Sequence, residues 1–99
     1  MLYTINYASL NSNNLDSLVQ VCPEGAPILF YEDGVYACKE HTALSEKIQK
    51  LTESHPTFAL EEDVEARGIK SLVAGVKPIS YDGFVGLVES HNVVPWLRN

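Results

Sequence analysis

The segment Pro27–Tyr31, PILFY, most constrains how this chain can fold, because it is short and almost continuously apolar. Glu32, Asp33 and Gly34 follow it directly and end it with polar and turn-forming residues. An apolar run of this length without polar alternation is typical of a strand that is covered on both faces. Such strands belong to parallel sheets with helices on either side, so the segment predicts an α/β fold.

Strand and helix patterns alternate along the rest of the chain. Strands are predicted at Leu2–Tyr7, Pro27–Tyr31, Thr57–Leu60 and Lys77–Ser80. Pro78 restricts the last of these to a sheet edge, and the closing VVPWLRN is expected to be extended. With 99 residues, the chain predicts one domain, residues 1–99. The predicted architecture is a three-layer α/β/α sandwich around a mostly parallel central sheet of four to five strands.

Apolar residues at helical spacing predict the helices between these strands. The first helix is expected to be capped by Asn13 or Asn14, with an apolar face of Leu15, Leu18, Val19 and Cys22. The second begins at Gly34 or at Thr42 and ends at His55-Pro56, with an apolar face of Leu44, Ile48 and Leu51.

Two shorter helical patterns complete the alternation. EEDVEARG predicts a short turn of helix with Gly68 as its C-cap, and its acidic residues suit a helix N-terminus better than a metal site. Asp82 is expected to cap the last helix, with Phe84, Leu87 and Val88 on one face.

The charge and the cysteine content exclude several classes of protein. A net charge of −6 would repel phosphate backbones, so no direct nucleic-acid binding is expected. Two cysteines do not make a disulfide framework, and the start MLYTINYASLNSNN lacks the features of a signal peptide. No apolar run approaches a membrane span, so we expect a cytoplasmic protein with reduced thiols and no membrane contact.

Cys38 is the one candidate for a reactive residue, because His41 and Lys39 lie close to it in sequence. A metal site would need a second pair of ligands, and Cys22, His55 and His91 are isolated. A nucleophile would need a lowered thiol pKa, which Glu40 and the preceding acidic residues oppose. The third interpretation is that Cys38 is a small core residue, and the local charge favours it.

No other motif indicates chemistry of its own. Gly75, Gly83 and Gly86 form neither a phosphate-binding loop nor a dinucleotide fingerprint, so no cofactor is expected. Tyr36, Tyr81 and Trp96 are candidates for an interface with a partner, since aromatic residues are enriched there. Partial burial in the core is the alternative for all three.

Five segments, in this order and over nearly the whole chain, resemble the TusB/DsrH family of small sulfur-relay subunits. They are MLYTIN, PEGAPILFYEDGVYA (Pro23–Ala37), LEEDVEARGI (Leu60–Ile69), ISYDGFVGLVESH (Ile79–His91) and VPWL. The most specific pieces are EDGVYA and D-x-x-ARG. The resemblance implies a three-layer α/β fold and assembly with two homologous small subunits, TusC/DsrF-like and TusD/DsrE-like, in a heterohexamer.

The resemblance further implies that the complex passes persulfide sulfur toward 2-thiouridine at the tRNA wobble position. In the Dsr branch the homologous complex serves sulfur oxidation, and this remains the alternative. The essential cysteine of the Tus complex belongs to a sister subunit. Some Dsr members carry a cysteine in the first helix, where this sequence has Leu18, and Cys38 stands where relatives usually have alanine.

The resemblance therefore implies a structural or accessory subunit without its own catalytic cysteine. Two other hypotheses stay open. In one, Cys38 itself carries persulfide and His41 or Lys39 stabilises the anion. In the other, the chain is a self-associating binding module of unrelated function.

Overall fold

The computed structural model describes residues 1–96 and contains a five-stranded sheet, four α-helices and one 3-10 helix. The strands are β1 (Leu2–Ile5), β2 (Ile28–Phe30), β3 (Thr57–Leu60), β4 (Lys77–Ile79) and β5 (Val93–Pro95). The α-helices are α1 (Ser12–Val21), α2 (Ser45–Ser54), α3 (Glu61–Ala66) and α4 (Tyr81–Ser90), and the 3-10 helix is Glu32–Cys38. The end of the extended segment predicted for VVPWLRN, residues 97–99, lies outside the described residues.

All neighbouring strands pair in parallel, in the order β4-β3-β2-β1-β5. The first three crossovers step in one direction across the sheet, whereas the last one returns past β1 to its free side. Right-handed crossovers therefore place α1, α2 and α3 on one face and α4 on the other. The predicted α/β fold with a parallel central sheet is confirmed.

The main core lies between the sheet and the helices α1 and α2. Side chains alternate along a strand, so Ile5 of β1 and Phe30 of β2 point into this core while Leu2 and Leu29 point toward the α4 face. All four side chains are completely buried. Burying one side chain of this kind stabilises the fold by about 1.5–3 kcal/mol relative to exposure.

The first helix begins earlier than the sequence predicts. Its N-cap is Asn11, whose side-chain oxygen accepts a 2.9 Å hydrogen bond from the backbone N–H of Asn14, while the Asn14 side chain accepts one of 3.1 Å from the N–H of Asn11. The prediction of Asn13 or Asn14 as the cap was wrong, because the reciprocal bonds between Asn11 and Asn14 start the helix at Ser12 and leave Asn13 and Asn14 inside its first turn. Val19 is also exposed, whereas Leu18 is buried as predicted.

The segment after β2 resolves the choice between two helix starts. Glu32–Cys38 forms a separate 3-10 helix, and α2 begins only at Ser45. The last helix is capped by Ser80, whose hydroxyl accepts a 3.3 Å bond from the N–H of Gly83. Asp82, predicted as this cap, lies inside the first turn, where its charge favours the helix dipole.

Both edges of the sheet are short strands that contain proline. β4 carries Pro78, as predicted for an edge, and β5 ends at Pro95. Proline has no N–H to donate to a further strand, and three-residue edges offer few groups to pair. The sheet is therefore poorly suited to growth by addition of another strand.

Candidate functional site

The carboxyl ends of β1 and β2 meet at a tight turn formed by the EDG sequence. The N–H of Tyr31 donates a 3.0 Å bond to the carbonyl of Ile5, and the N–H of Gly34 donates a 2.9 Å bond to the carbonyl of Tyr31. A Cβ atom on Gly34 would collide with the Ile5 carbonyl, so no other residue fits without moving the backbone. The turn also holds Glu32 at a φ of 48°, an unusual value for a residue with a side chain.

A hydrogen-bonded cluster fixes this turn to α3. Asp63 accepts a 2.6 Å bond from the backbone N–H of Glu32, and the guanidinium of Arg67 donates bonds of 2.9 and 3.0 Å to Asp33. Arg67 also lies 3.5 Å from Asp63. The hydrogen bond to Asp33 raises the pKa of Arg67, against the opposing effect of desolvation. The EDGVYA and D-x-x-ARG segments are thus parts of one structural joint.

Sequence reasoning did not identify this cluster as a unit. Asp33 and Arg67 are 34 positions apart, and no local pattern indicates that they meet. The order of the strands could have indicated the pair. Because β2 and β3 are adjacent and parallel, the segments that follow them lie at the same end of the sheet, where their opposite charges can meet. With all of its charge satisfied internally, the Arg67 guanidinium is poorly placed to bind a free anion.

Cys38 lies at the end of the 3-10 helix and is completely buried in the main core. Its carbonyl accepts a 2.8 Å bond from the N–H of Val73, and the next residue, Lys39, forms a β-bridge with Leu72. Burial raises the pKa of the Cys38 thiol strongly, and no neighbouring cation opposes this effect among the described residues. A thiol in this setting stays protonated and out of reach of a protein-sized sulfur donor.

The other residues considered with Cys38 are not gathered around it. His41 is exposed over 88% of its side chain, at a φ of 66°, and its nearest charged partner is Glu40 at 3.7 Å. Cys22 lies on the buried side of α1, as predicted, and burial raises its thiol pKa as well. Across residues 1–96, no three side chains of histidine, cysteine or acidic residues come together in a way that could hold a metal ion.

The three aromatic residues named as interface candidates occupy different settings. Tyr36 is 41% exposed on the 3-10 helix and lies close enough to Arg67 to affect its pKa. Tyr81 is 58% exposed at the start of α4. Trp96 is half-buried against the main core, and its backbone N–H donates a 2.8 Å hydrogen bond to the carbonyl of Thr4.

Helix α4 is held to the body mainly through its first turns. The ring of Phe84 lies 5.8 Å from the rings of both Tyr31 and Tyr81, measured between centroids. The side chain of Glu62 accepts a 3.2 Å bond from the N–H of Tyr81. None of the ten residues of α4 is fully buried. An apolar helix of this kind is normally covered on one face, and α4 is the one described α-helix without a fully buried residue.

An open groove of about 660 Å³ lies between α1 and α2. The ammonium of Lys47 crosses it to Asp16, with distances of 2.7 and 2.8 Å to the two carboxylate oxygens. The groove contains no cysteine or histidine side chain. Its polar lining consists of carboxylates, lysines, one glutamine and the Ser54 hydroxyl. Among the described helices, none is long and apolar enough to cross a membrane.

Comparison with known proteins identifies relatives over almost the whole chain. Residues 8–94 match the family described as DsrH like protein. Protein TusB from Photorhabdus laumondii subsp. laumondii is 31% identical over 93 residues, which cover 93% of this chain and 95% of that protein.

Two solved structures share the fold at low sequence identity. The ychN protein from E. coli superposes with a TM-score of 0.74 at 13% identity, covering 95% of this chain and 97% of that one. Protein MTH1491 from Methanobacterium thermoautotrophicum, titled as a protein of unknown function, gives a TM-score of 0.72 at 16% identity, covering 95% and 96%. Both agree with the five-stranded α/β architecture described above.

Proposed function

The chain belongs to the DsrH-like family, and from this premise we propose that it is a structural subunit of a sulfur-relay complex whose reactive cysteine lies on a partner chain. The pathway proposed is the delivery of persulfide sulfur for 2-thiouridine formation at the tRNA wobble position. The partners proposed are two homologous small subunits, TusC/DsrF-like and TusD/DsrE-like, in a cytoplasmic heterohexamer. The name of the relative at 31% identity, Protein TusB, supports this branch over sulfur oxidation.

Sulfur relay requires a reactive thiol, which this chain does not supply by itself. A thiolate of the acceptor attacks the outer sulfur of a donor persulfide, a new S–S bond forms, and the donor leaves as a thiolate. The attacking thiol must therefore be ionised and accessible to another protein.

Burial of both sulfur atoms is the observation that carries the proposal. Cys38 is 0% exposed and Cys22 is 5% exposed, and burial raises both thiol pKa values. Neither thiol lies at the first turn of a helix, where a thiolate would be stabilised. The alternative in which Cys38 carries persulfide would require the main core to open at each transfer.

The proposal is tested by reconstituting the complex with its two homologous small subunits and following sulfur from a ³⁵S-persulfide donor. The Cys22→Ala, Cys38→Ala double variant should assemble and transfer sulfur at the wild-type rate, with label on a partner chain only. Intact-mass measurement of each subunit locates the extra sulfur atom.

The single variants separate a chemical role from a packing role. If Cys38→Ala assembles normally but loses transfer, or if labelled sulfur appears on this chain, the structural role is wrong. Cys22→Ala is the matched control, because it removes the other buried thiol from the same core. Label delivered to a tRNA uridine by the downstream enzymes would support the thiolation branch, and its absence would favour sulfur oxidation.

A further inference from the structure

Helix α4 carries an incompletely buried apolar stripe along one side. Tyr81, Val85 and Val88 fall at i, i+4 and i+7 and therefore share one side of the helix. Phe84 lies beside them and joins the stripe to Tyr31 through its ring contact. Tyr81 and Val88 are exposed, and the other two are half-buried. We call these four α4 residues the Tyr81 face.

The rim of the Tyr81 face is strongly acidic at its Tyr81 end. Glu62 is bonded to the N–H of Tyr81, which brings the start of α3 beside the start of α4. Helix α4 carries Asp82 and Glu89 and no lysine or arginine, and Glu61 precedes Glu62 at the start of α3. Arg67, the cation of α3, is paired with Asp33 and Asp63. The Tyr81 end of the face therefore has more carboxylates than cations beside it.

The edges of the sheet offer no competing route to association. Pro78 and Pro95 stand in the three-residue edge strands, which disfavours pairing with another strand. An assembly that uses this side of the molecule must therefore pack side chains against α4. Val93 of β5 pairs in register with Leu2, so its side chain lies on the α4 side of the sheet, as that of Leu2 does. Val93 is exposed and extends the apolar surface on that side.

We propose that the Tyr81 face binds a different subunit, one that presents an apolar centre surrounded by lysine or arginine. A second copy of this chain is disfavoured, because its net charge is also −6 and a symmetric contact would bring two acidic rims together. The inference rests on the proposed function, since it assigns the surface through which that hetero-oligomer forms. The interior of such an interface is the place where a tyrosine contributes most to binding.

The test uses the wild-type chain co-expressed with its two homologous small subunits and a Val88→Asp variant. Val88 is exposed, so the substitution should leave the fold unchanged by circular dichroism. The expected result is at least a roughly 10-fold weaker capture of a partner subunit, as is usual for a charge placed in an interface centre. Val19→Asp is the matched control, because Val19 is an exposed valine on α1, on the opposite side of the sheet.

Two further variants keep the inference testable if Val88→Asp misfolds. Tyr81→Ser should weaken capture without adding charge. Glu61→Gln together with Asp82→Asn should slow association and reduce its dependence on salt, as expected when a steering field is removed. A photo-crosslinker at position 88 should attach to a lysine- or arginine-rich peptide of a partner, whereas one at position 19 should not.

The possible failures are distinguishable. If the wild-type chain captures neither small subunit, the proposed function and the inference are both overturned. If it captures them and the Val88 and Tyr81 variants do so equally well, only the inference is wrong. If the isolated chain dimerises in sedimentation and Val88→Asp makes it monomeric, the occupant is a second copy and the inference is again wrong.

Discussion

At the carboxyl end of β1, Gly34 packs against the carbonyl of Ile5 while the neighbouring Glu32 takes a positive φ. The Asp63 carboxylate holds this conformation through the N–H of Glu32, and Arg67 holds Asp33 beside it. The cost of the unusual backbone is therefore offset by hydrogen bonds from another element. Individual residues here determine the geometry of a joint between two strand ends and α3.

Replacing Gly34 with alanine should destabilise the protein, because the added methyl group meets backbone atoms that cannot rotate away. The expected loss in the free energy of unfolding is about 2–3 kcal/mol, the upper range for overpacking. Urea denaturation followed by circular dichroism measures it. A loss below about 0.5 kcal/mol would mean that the turn adjusts easily and is not a fixed joint.

Burial of the Cys38 thiol should make the protein less stable in alkali. Its folded pKa is raised, so the folded state keeps the proton when the unfolded chain, with a thiol pKa near 8.5, has lost it. This contribution is fully present below about pH 8.5 and falls by up to about 1.4 kcal/mol per pH unit above it.

Comparison of wild type with Cys38→Ala between about pH 8 and 10 isolates this contribution from other titrating groups. The stability difference between the two proteins should shift in favour of the variant as the pH rises. Parallel pH profiles would show that the Cys38 thiol ionises as readily in the folded protein as in the unfolded one. That outcome would restore Cys38 as a candidate sulfur carrier.

Among the secondary-structure elements, α4 combines an apolar composition with incomplete burial. Its two glycines play opposite parts. A Cβ on Gly83 would collide with Ile79, so this glycine allows the helix to approach β4 closely. Gly86 has open space around it and only adds backbone freedom to the unfolded chain.

The two glycines give a paired prediction. Gly86→Ala should stabilise the isolated protein by about 0.5–1 kcal/mol, since alanine is the better helix former. Gly83→Ala should instead destabilise it, because α4 must move away from Ile79. Thermal unfolding of both variants measures the two effects. Equal effects of the same sign would contradict the packing described for α4.

The positions of strands and helices were largely predictable, because apolar periodicity records which side chains face the core. Thr57–Leu60 forms β3 with the predicted bounds. Helix ends were less predictable. Around α1 four consecutive residues, Asn11–Asn14, can all serve as caps, and only the reciprocal bond between the first and last selects one. The pairing of Asp33 with Arg67 depends on strand order, which local sequence does not contain.

For the molecule as a whole, three α-helices and the 3-10 helix protect one face of the sheet and a single helix protects the other. Leu2, Leu29 and Leu60 are buried on the α4 side, so the helix is needed to keep water from the central strands. Its own outer residues remain exposed. The molecule is therefore asymmetric, with a well-packed side and a side whose stability depends on one lightly anchored helix.

This asymmetry predicts uneven protection of backbone amides. In the isolated chain, amides of α4 should exchange with deuterium faster than those of α1 and α2, because local opening requires fewer buried contacts to break. In the complex with partner subunits, α4 should become protected while α1 stays unchanged. Hydrogen-exchange mass spectrometry measures both. Equal protection of α4 with and without partners would contradict its assignment as the binding surface.

The interior position of β1, between β2 and β5, has a consequence for biosynthesis. Strands β1 to β4 can pair in turn as each leaves the ribosome, since each new strand joins the one before it. The opposite side of β1 must wait for β5, because Leu2 aligns with Val93 near the far end of the described chain. A nascent chain therefore exposes one side of its first strand, and the face later covered by α4, until α4 and β5 have left the ribosome.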